Sequence, residues 1–307
     1  MTTLYTPIHF KKNNEIDPEN SEFKIVYVDI VHRCNMECSN CYLPNRSYKD
    51  IAFNKLIETI SKFKKRTEFR LIGGEPTLHK DLPKIIKLIT SMPLKHRIVL
   101  VTNGLRLANE TYVKKLVDAG LKTVYLSMNG ADDDTVYATM DNLRCAKKKV
   151  KAFQNCVDNK IKLAIGCILA KGINEHVPDR LKELIQKNNY PVALEFRNVG
   201  QIGRYSLEKN QNYSRKEILD ILEKVFNFDS NTEDWKNSLI DDDSYSWHFP
   251  LEKAKAKLCK TTSLRITDWS LMDEGYPAQD NLKRGRITEN FKLAPFFEHL
   301  RENENGY

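Results

Sequence analysis

Six apolar runs recur along roughly the first two hundred residues, and each ends in a short polar or glycine-bearing tag. They cover residues 25–31, 69–72, 97–101, 123–126, 163–169 and 192–196. Runs of this length, rich in β-branched residues, read as strands buried on both faces. Between them, apolar residues fall at helical spacing. Ile51, Leu56, Ile57, Ile60 and Phe63 mark a helix over 50–65, and others are expected over 82–89, 112–119 (stopped by Gly120) and 177–186. Met140, Leu143, Val150, Phe153 and Val157 suggest one further helix, with the lysines of 147–151 on its solvated face. Strands alternating with helices in this way predict right-handed crossovers and a parallel sheet. The expected fold class is α/β, a partial (β/α)6 TIM-like barrel with a C-terminal α+β extension. In such a barrel, chemistry belongs at the rim formed by the C-terminal ends of the strands.

Three segments are expected: a polar lead-in over 1–22, the barrel core over 23–200, and a substrate or lid extension over 201–307. In the extension, 215–226 reads as a helix, 229–246 as an acidic loop and 263–267 as a strand. Turn signals stand at 274–277 and 284–286. Trp247, Phe249 and Trp269 are expected to close the open side of the barrel. Arg265, Arg284 and Arg286 offer the alternative of holding phosphate. The net charge of +8 is compatible with an anionic partner. The start has no signal-peptide pattern and no apolar run reaches membrane-spanning length, so a cytoplasmic protein without a membrane partner is expected. Seven cysteines, four of them scattered singly, fit reduced thiols.

The other three cysteines form one cluster directly after the first strand: Cys34-Asn-Met-Glu-Cys38-Ser-Asn-Cys41. Three thiolates in one short loop can hold three irons of a [4Fe–4S] cube and leave the fourth iron open. A zinc site would need a fourth ligand, which His32 offers, although no second Cys/His pair follows at ribbon spacing. A disulfide would leave one of the three thiols over. Spacing alone leaves these alternatives open.

Cys-x3-Cys-x2-Cys after the first strand, Gly73-Gly74-Glu75-Pro76 after the second and Thr102-Asn103-Gly104 after the third together resemble the radical S-adenosylmethionine (SAM) enzymes. The resemblance covers roughly residues 23–200. It is greatest to the branch that contains molybdopterin-precursor synthases and peptide-maturing enzymes. It implies that Cys34, Cys38 and Cys41 ligate three irons and that SAM chelates the fourth. It also implies a flavodoxin- or ferredoxin-type electron donor. Gly73 and Gly74 would meet the methionyl ammonium of SAM, with Glu75 adding a contact or buttressing the loop. Ser127 and Asn129 would serve SAM from the fourth strand, Asn103 from the third, and Arg197 would pair with the SAM carboxylate or the substrate. Gly166-Cys167-Ile168 resembles an adenine-contacting segment, although Ala170 stands where a second glycine is common. Asn40 departs from the family by replacing an aromatic residue before the third cysteine, and Tyr42 follows that cysteine.

Only Cys259 lies beyond residue 167, so a single cluster is expected, with no auxiliary one. By analogy with some radical SAM epimerases, Cys259 is the candidate hydrogen-atom donor, with Cys167 as an alternative. The candidate substrate is a nucleic acid or nucleotide, suggested by charge and Arg/Trp content. The alternatives are a peptide, suggested by the branch, a carbohydrate or small metabolite, or, in place of an enzyme, a non-enzymatic iron–sulfur or zinc protein.

Overall fold

The computed structural model describes residues 15–41, 43, 50–199, 211–242, 246–255, 258, 260–268, 284–288 and 290–295. Cys259, Tyr42, Trp269 and the turn at 274–277 lie outside the described residues. The core alternates as the apolar runs predict: β1 (Ile25–Val31), α1 (Phe53–Ser61), β2 (Glu68–Gly73), α2 (Leu82–Ser91), β3 (Arg97–Thr102), α3 (Glu110–Asp118) and β4 (Thr123–Ser127). Next come α4 (Asp134–Asp141), α5 (Ala146–Asp158), β5 (Lys162–Ile168), α6 (Val177–Asn188) and β6 (Val192–Arg197). These six strands pair in sequence order, all parallel. Their outward residues, such as Val28, Leu71, Leu100 and Ile165, are fully buried under helix residues such as Ile60, Ile86, Leu116 and Phe153. Among the described residues, no helix is long and apolar enough to cross a membrane.

The C-terminal third holds α7 (Arg215–Phe226), α8 (Glu233–Ser238), β7 (Ile240–Asp242), β8 (Ser246–Pro250), β9 (Thr261–Thr267), β10 (Arg284–Ile287) and β11 (Leu293–Pro295). The acidic stretch expected as a loop therefore carries α8 and β7. Trp235 of α8 stacks on Phe228 at 4.1 Å and packs against Phe249. Burying that ring is enough to order a short segment whose charges stay outside. β9 extends the parallel sheet beside β6, and β8 and β7 follow it antiparallel. Arg284-Gly-Arg286, expected as a turn, is strand: β10 runs parallel to β1 on the opposite edge. It has no apolar alternation because its inward residues face polar partners. Arg286 is fully buried and donates from Nε to Asp29 of β1 at 2.5 Å.

The helix expected across 140–157 is two helices. Asn142 ends α4 in the left-handed region, at φ 51°, a conformation that Asn tolerates better than most residues. Leu143 therefore leaves the apolar stripe and stands 37% exposed in the linker. The lysine run is not uniformly solvated either, because Lys149 is buried and donates to the Ser127 carbonyl at 2.8 Å.

The ends of β1 and β2 touch backbone to backbone. Gly74 N donates to Val31 O at 2.8 Å, and Glu75 N donates to Arg33 O at 3.0 Å. Gly73 adopts φ +133°, and a Cβ on it would lie 2.0 Å from Val31 O. A Cβ on Gly74 would lie 2.3 Å from His32 O and 2.4 Å from Arg33 O. The glycine pair is thus required by the approach of the cysteine loop itself. Gly74→Ala is expected to push the two segments apart and to cost about 1–3 kcal/mol, as overpacking does. A urea unfolding midpoint equal to that of the unsubstituted chain would contradict this.

Candidate active site

The cysteine loop leaves β1 and is held on three sides. Asn103, after β3, donates to Asn35 Oδ1 at 2.8 Å and stands 3.8 Å from Cys34 Sγ. At the end of α4, Ser39 N donates to Met140 O at 2.9 Å and Asn142 Nδ2 donates to Glu37 O at 2.7 Å. Arg33 is tied to Asp50 at 2.9 Å and to Leu78 O at 3.0 Å. Met36 is buried with Tyr137, Cys145 and Ala146, and Cys34, Cys38 and Leu105 rest against that small apolar cluster. Cys34, Cys38 and Cys41 are half-exposed thiols, with no disulfide between them. Burial pushes the Cys38 thiol above its ordinary range, and the neighbouring charges of Asp141 and Cys41 add to the effect. Asp141 is itself buried, which raises its carboxyl, while Lys149 pulls it down. Among the described residues, no trio of His, Cys, Asp or Glu is already drawn in to metal-ligand distances.

The rim tags gather around this loop. Glu75 is 1% exposed, and its carboxylate accepts from Thr77 N at 3.0 Å, Thr77 Oγ1 at 2.6 Å, Thr102 Oγ1 at 2.6 Å and Asn103 N at 2.7 Å. All four bonds stay within the protein and join the end of β2 to the end of β3. Asn129 faces the protein in the same way. Its Nδ2 donates to Asp141 Oδ1 at 3.1 Å, its Oδ1 accepts from Ile168 N at 3.0 Å, and its carbonyl accepts from Asn174 Nδ2 at 2.9 Å. Ser127 ends β4 half-exposed, level with Gly166 of β5. Gly166 makes room for a neighbour, because a Cβ there would lie 2.0 Å from the Tyr125 hydroxyl. Ala170, at the expected second-glycine place, is buried and donates to Asn174 Oδ1.

Below the rim, alternate strand residues point into the barrel. Tyr27, Asp29, Glu68, Arg70, Tyr125, Glu195, Arg197 and Arg265 share this face with Arg284 and Arg286. Arg70 donates to Glu68 at 3.0 Å and to the Tyr27 hydroxyl at 3.0 Å. Arg197 donates to the Tyr125 hydroxyl and pairs with Glu195 at 3.4 Å. Burial works to raise the Glu195 carboxyl, yet Arg197, Arg265, Arg70 and Arg284 together hold it below its ordinary value. Those four guanidiniums come from β6, β9, β2 and β10, so they converge across the barrel. Burial and the Arg197 cation act oppositely on the Tyr125 phenol, and burial prevails, raising it.

Of the residues singled out from sequence, Cys34, Cys38, Cys41, Gly73, Gly74, Glu75 and Asn103 form one connected cluster. Ser127, Asn129 and Arg197 end the strands opposite. Sequence reasoning passed over Asp141, Lys149 and Asn174, the polar residues behind the rim. Lys149 sits in a lysine run that looks solvated, and nothing local marks the other two. Cys167 is fully enclosed, and burial pushes its thiol upward, as expected of a small buried hydrophobe.

The sequence model of the radical SAM superfamily matches residues 28–185, just over half of the chain. A 7,8-dihydro-6-hydroxymethylpterin dimethyltransferase of Methanocaldococcus jannaschii is 36% identical over 139 residues, which cover 42% of this chain and 26% of that protein. A GTP 3′,8-cyclase of Clostridium perfringens is 25% identical over 217 residues, covering 68% of this chain and 64% of that protein. The chain thus spans less than two thirds of the length of these relatives. Among solved structures, Streptococcus suis SuiB bound to its precursor peptide SuiA shares the fold, with a TM-score of 0.65 and 16% identity, over 93% of this chain and 61% of that one. The anSMEcpe structure with bound AdoMet follows with a TM-score of 0.54 and 21% identity, over 66% of this chain and 59% of that one. The cysteine, Gly-Gly-Glu-Pro and Thr-Asn-Gly motifs lie inside the matched segment and the barrel is shared, so the chain belongs to the radical SAM superfamily, enzymes that pair a [4Fe–4S] cluster with S-adenosylmethionine.

Proposed function

We propose that Cys34, Cys38 and Cys41 hold the [4Fe–4S] cluster and that SAM lies across the rim from Gly73–Gly74 to Ser127 and Arg197. The donor set fits: three soft thiols on one half-exposed loop suit iron and sulfide and leave one iron without a protein ligand. A cluster held by these thiols would supply the electron for reductive cleavage of SAM, the source of the hydrogen-abstracting radical in this reading. The chain's own residues set the stage for that event. Glu75 fixes the Gly-Gly backbone and the Asn103 amide, Asn129 holds the ends of β4 and β5 together, and the apolar packing of Met36 anchors the loop.

The substrate in this reading is a small anion of the nucleotide class, received in the barrel beneath SAM. The observation that carries it is the interior itself. Among the described residues, Arg70, Arg197, Arg265, Arg284 and Arg286 face Asp29, Glu68 and Glu195 there, an excess of guanidinium. Guanidinium forks suit phosphate. Glu195 and Arg265 are register partners one inward layer, roughly 7 Å of strand, below Arg197. The 7,8-dihydro-6-hydroxymethylpterin and GTP named for the relatives also support a small heterocyclic substrate.

Reconstituted protein is expected to contain about four iron and four sulfide per chain, the content of one such cluster. Cys34→Ala, Cys38→Ala or Cys41→Ala should each abolish cluster loading and 5′-deoxyadenosine formation with dithionite. Full iron content in any of these variants would contradict the ligand assignment. Arg265→Met should weaken GTP binding, measured by calorimetry, by roughly tenfold or more, the worth of one charge-assisted hydrogen bond. Unchanged GTP affinity, or none in the unsubstituted protein, would count against the nucleotide reading.

A further inference from the structure

Among the described residues, Lys149 alone of the lysines is buried, at 1% exposure. It lies on α5. Its Nζ donates to the Ser127 carbonyl at 2.8 Å and stands 5.3 Å from the centre of the Tyr137 ring. Tyr137 belongs to the small apolar cluster on which Cys34 and Cys38 rest. Asp141, also buried, joins the group from the end of α4. Its carboxylate accepts from Asn129 Nδ2 at 3.1 Å and from the Cys38 thiol. The Lys149 cation acts electrostatically on both Asp141 and Cys38. A buried ammonium and a buried carboxylate therefore stand together behind the cysteine loop.

Anchoring α5 does not by itself call for a charge. The same helix reaches the Leu107 carbonyl at 2.8 Å with the neutral amide of Asn155, which is fully buried. Taking an ammonium out of water costs far more than burying an amide, and one carbonyl does not offset the difference. Pairing with Asp141 offsets part of it, yet that leaves the location of the pair unexplained. Both charges act on a cysteine assigned above to iron. A fixed charge in surroundings of low dielectric acts strongly on a neighbour whose own charge changes. One-electron reduction is such a change, and net charge is among the properties that set the potential of an iron–sulfur cluster.

We infer that Lys149 tunes the site for reduction: its buried ammonium compensates Asp141 and raises the reduction potential of the cluster on Cys34, Cys38 and Cys41. The electron comes from an external one-electron reductant, which is oxidised by one electron as the cluster is reduced by one. No bond forms or breaks, and Lys149 keeps its proton. It acts by charge alone, as a positioning residue behind Cys38. Without it, the Asp141 carboxylate would oppose the incoming electron uncompensated. This inference rests on the reading of Cys34, Cys38 and Cys41 as the cluster ligands.

The test uses the reconstituted unsubstituted protein and the variants Lys149→Met, Lys149→Gln, Asp141→Asn and Lys149→Met/Asp141→Asn. Each is titrated with dithionite in the presence of redox mediators and without SAM, and the reduced cluster is followed by electron paramagnetic resonance. Lys149→Met should shift the reduction equilibrium toward the oxidised cluster by roughly tenfold or more, a fall in potential of about 59 mV or more for one electron. Asp141→Asn should raise the potential. The double variant, in which both charges are gone, should return most of the way to the unsubstituted value. A merely structural role would not give shifts of opposite sign that cancel. Lys149→Gln keeps an N–H donor for the Ser127 carbonyl and should show the same fall as Lys149→Met. Loss of iron from both single Lys149 variants would make the residue structural and overturn the inference. So would equilibria within about twofold of the unsubstituted protein, or shifts of the same sign in Lys149→Met and Asp141→Asn. No iron uptake by the unsubstituted protein would remove the cluster reading and this inference with it, whereas a loaded cluster indifferent to Lys149 would remove the inference alone.

Discussion

One buried carboxylate holds the rim together. Glu75 accepts four hydrogen bonds from Thr77, Thr102 and Asn103, while its own N–H donates to Arg33 at the root of the cysteine loop. A carboxylate taken out of water is tolerated only when its lone pairs are filled by donors of good geometry. The requirement works in both directions, because the donors are fixed by the acceptor they serve. The ends of β1, β2 and β3 are therefore set relative to one another by a single residue. The Asn103 side chain reaches Cys34 and Asn35 from that fixed backbone.

The barrel separates two chemistries by strand periodicity. In β1, Val26, Val28 and Ile30 are fully buried under helices, while Tyr27 and Asp29 turn inward. In β6, Val192, Leu194 and Phe196 pack outward, and Glu195 and Arg197 face the interior. Every strand can thus contribute to an apolar shell and to a polar chamber at once. The chamber's charges are mutually compensated in part, with Arg70 on Glu68, Arg197 on Glu195 and Arg286 on Asp29. That compensation lets so many guanidiniums converge without unfolding the wall that bears them.

What was legible in the sequence follows from the same periodicity. The parallel strands showed as near-continuous apolar runs, and the glycine and cysteine tags gave the rim. β10 did not show, because Arg284 and Arg286 point into a polar chamber and leave no apolar alternation to read. Leu143 matched a helical stripe, but Asn142 breaks the helix in front of it. Lys149 looked solvated among its neighbours, although it reaches Ser127 across the top of β4. Glu75 was visible as part of a motif, and its inward role was not. Partners such as Thr102, 27 residues away, meet it only once the sheet has formed.

The pairing of β1 with β10 bears on how the molecule comes into being. Asp29 and Arg286, which join the two strands, are 257 residues apart in the chain. During synthesis the strand that leads into the cysteines emerges early, yet its outer edge stays bare until β10 has left the ribosome. A contact of such long range forms late and slowly. The nascent protein therefore passes through a period in which the strand leading into the three thiols still lacks its β10 neighbour.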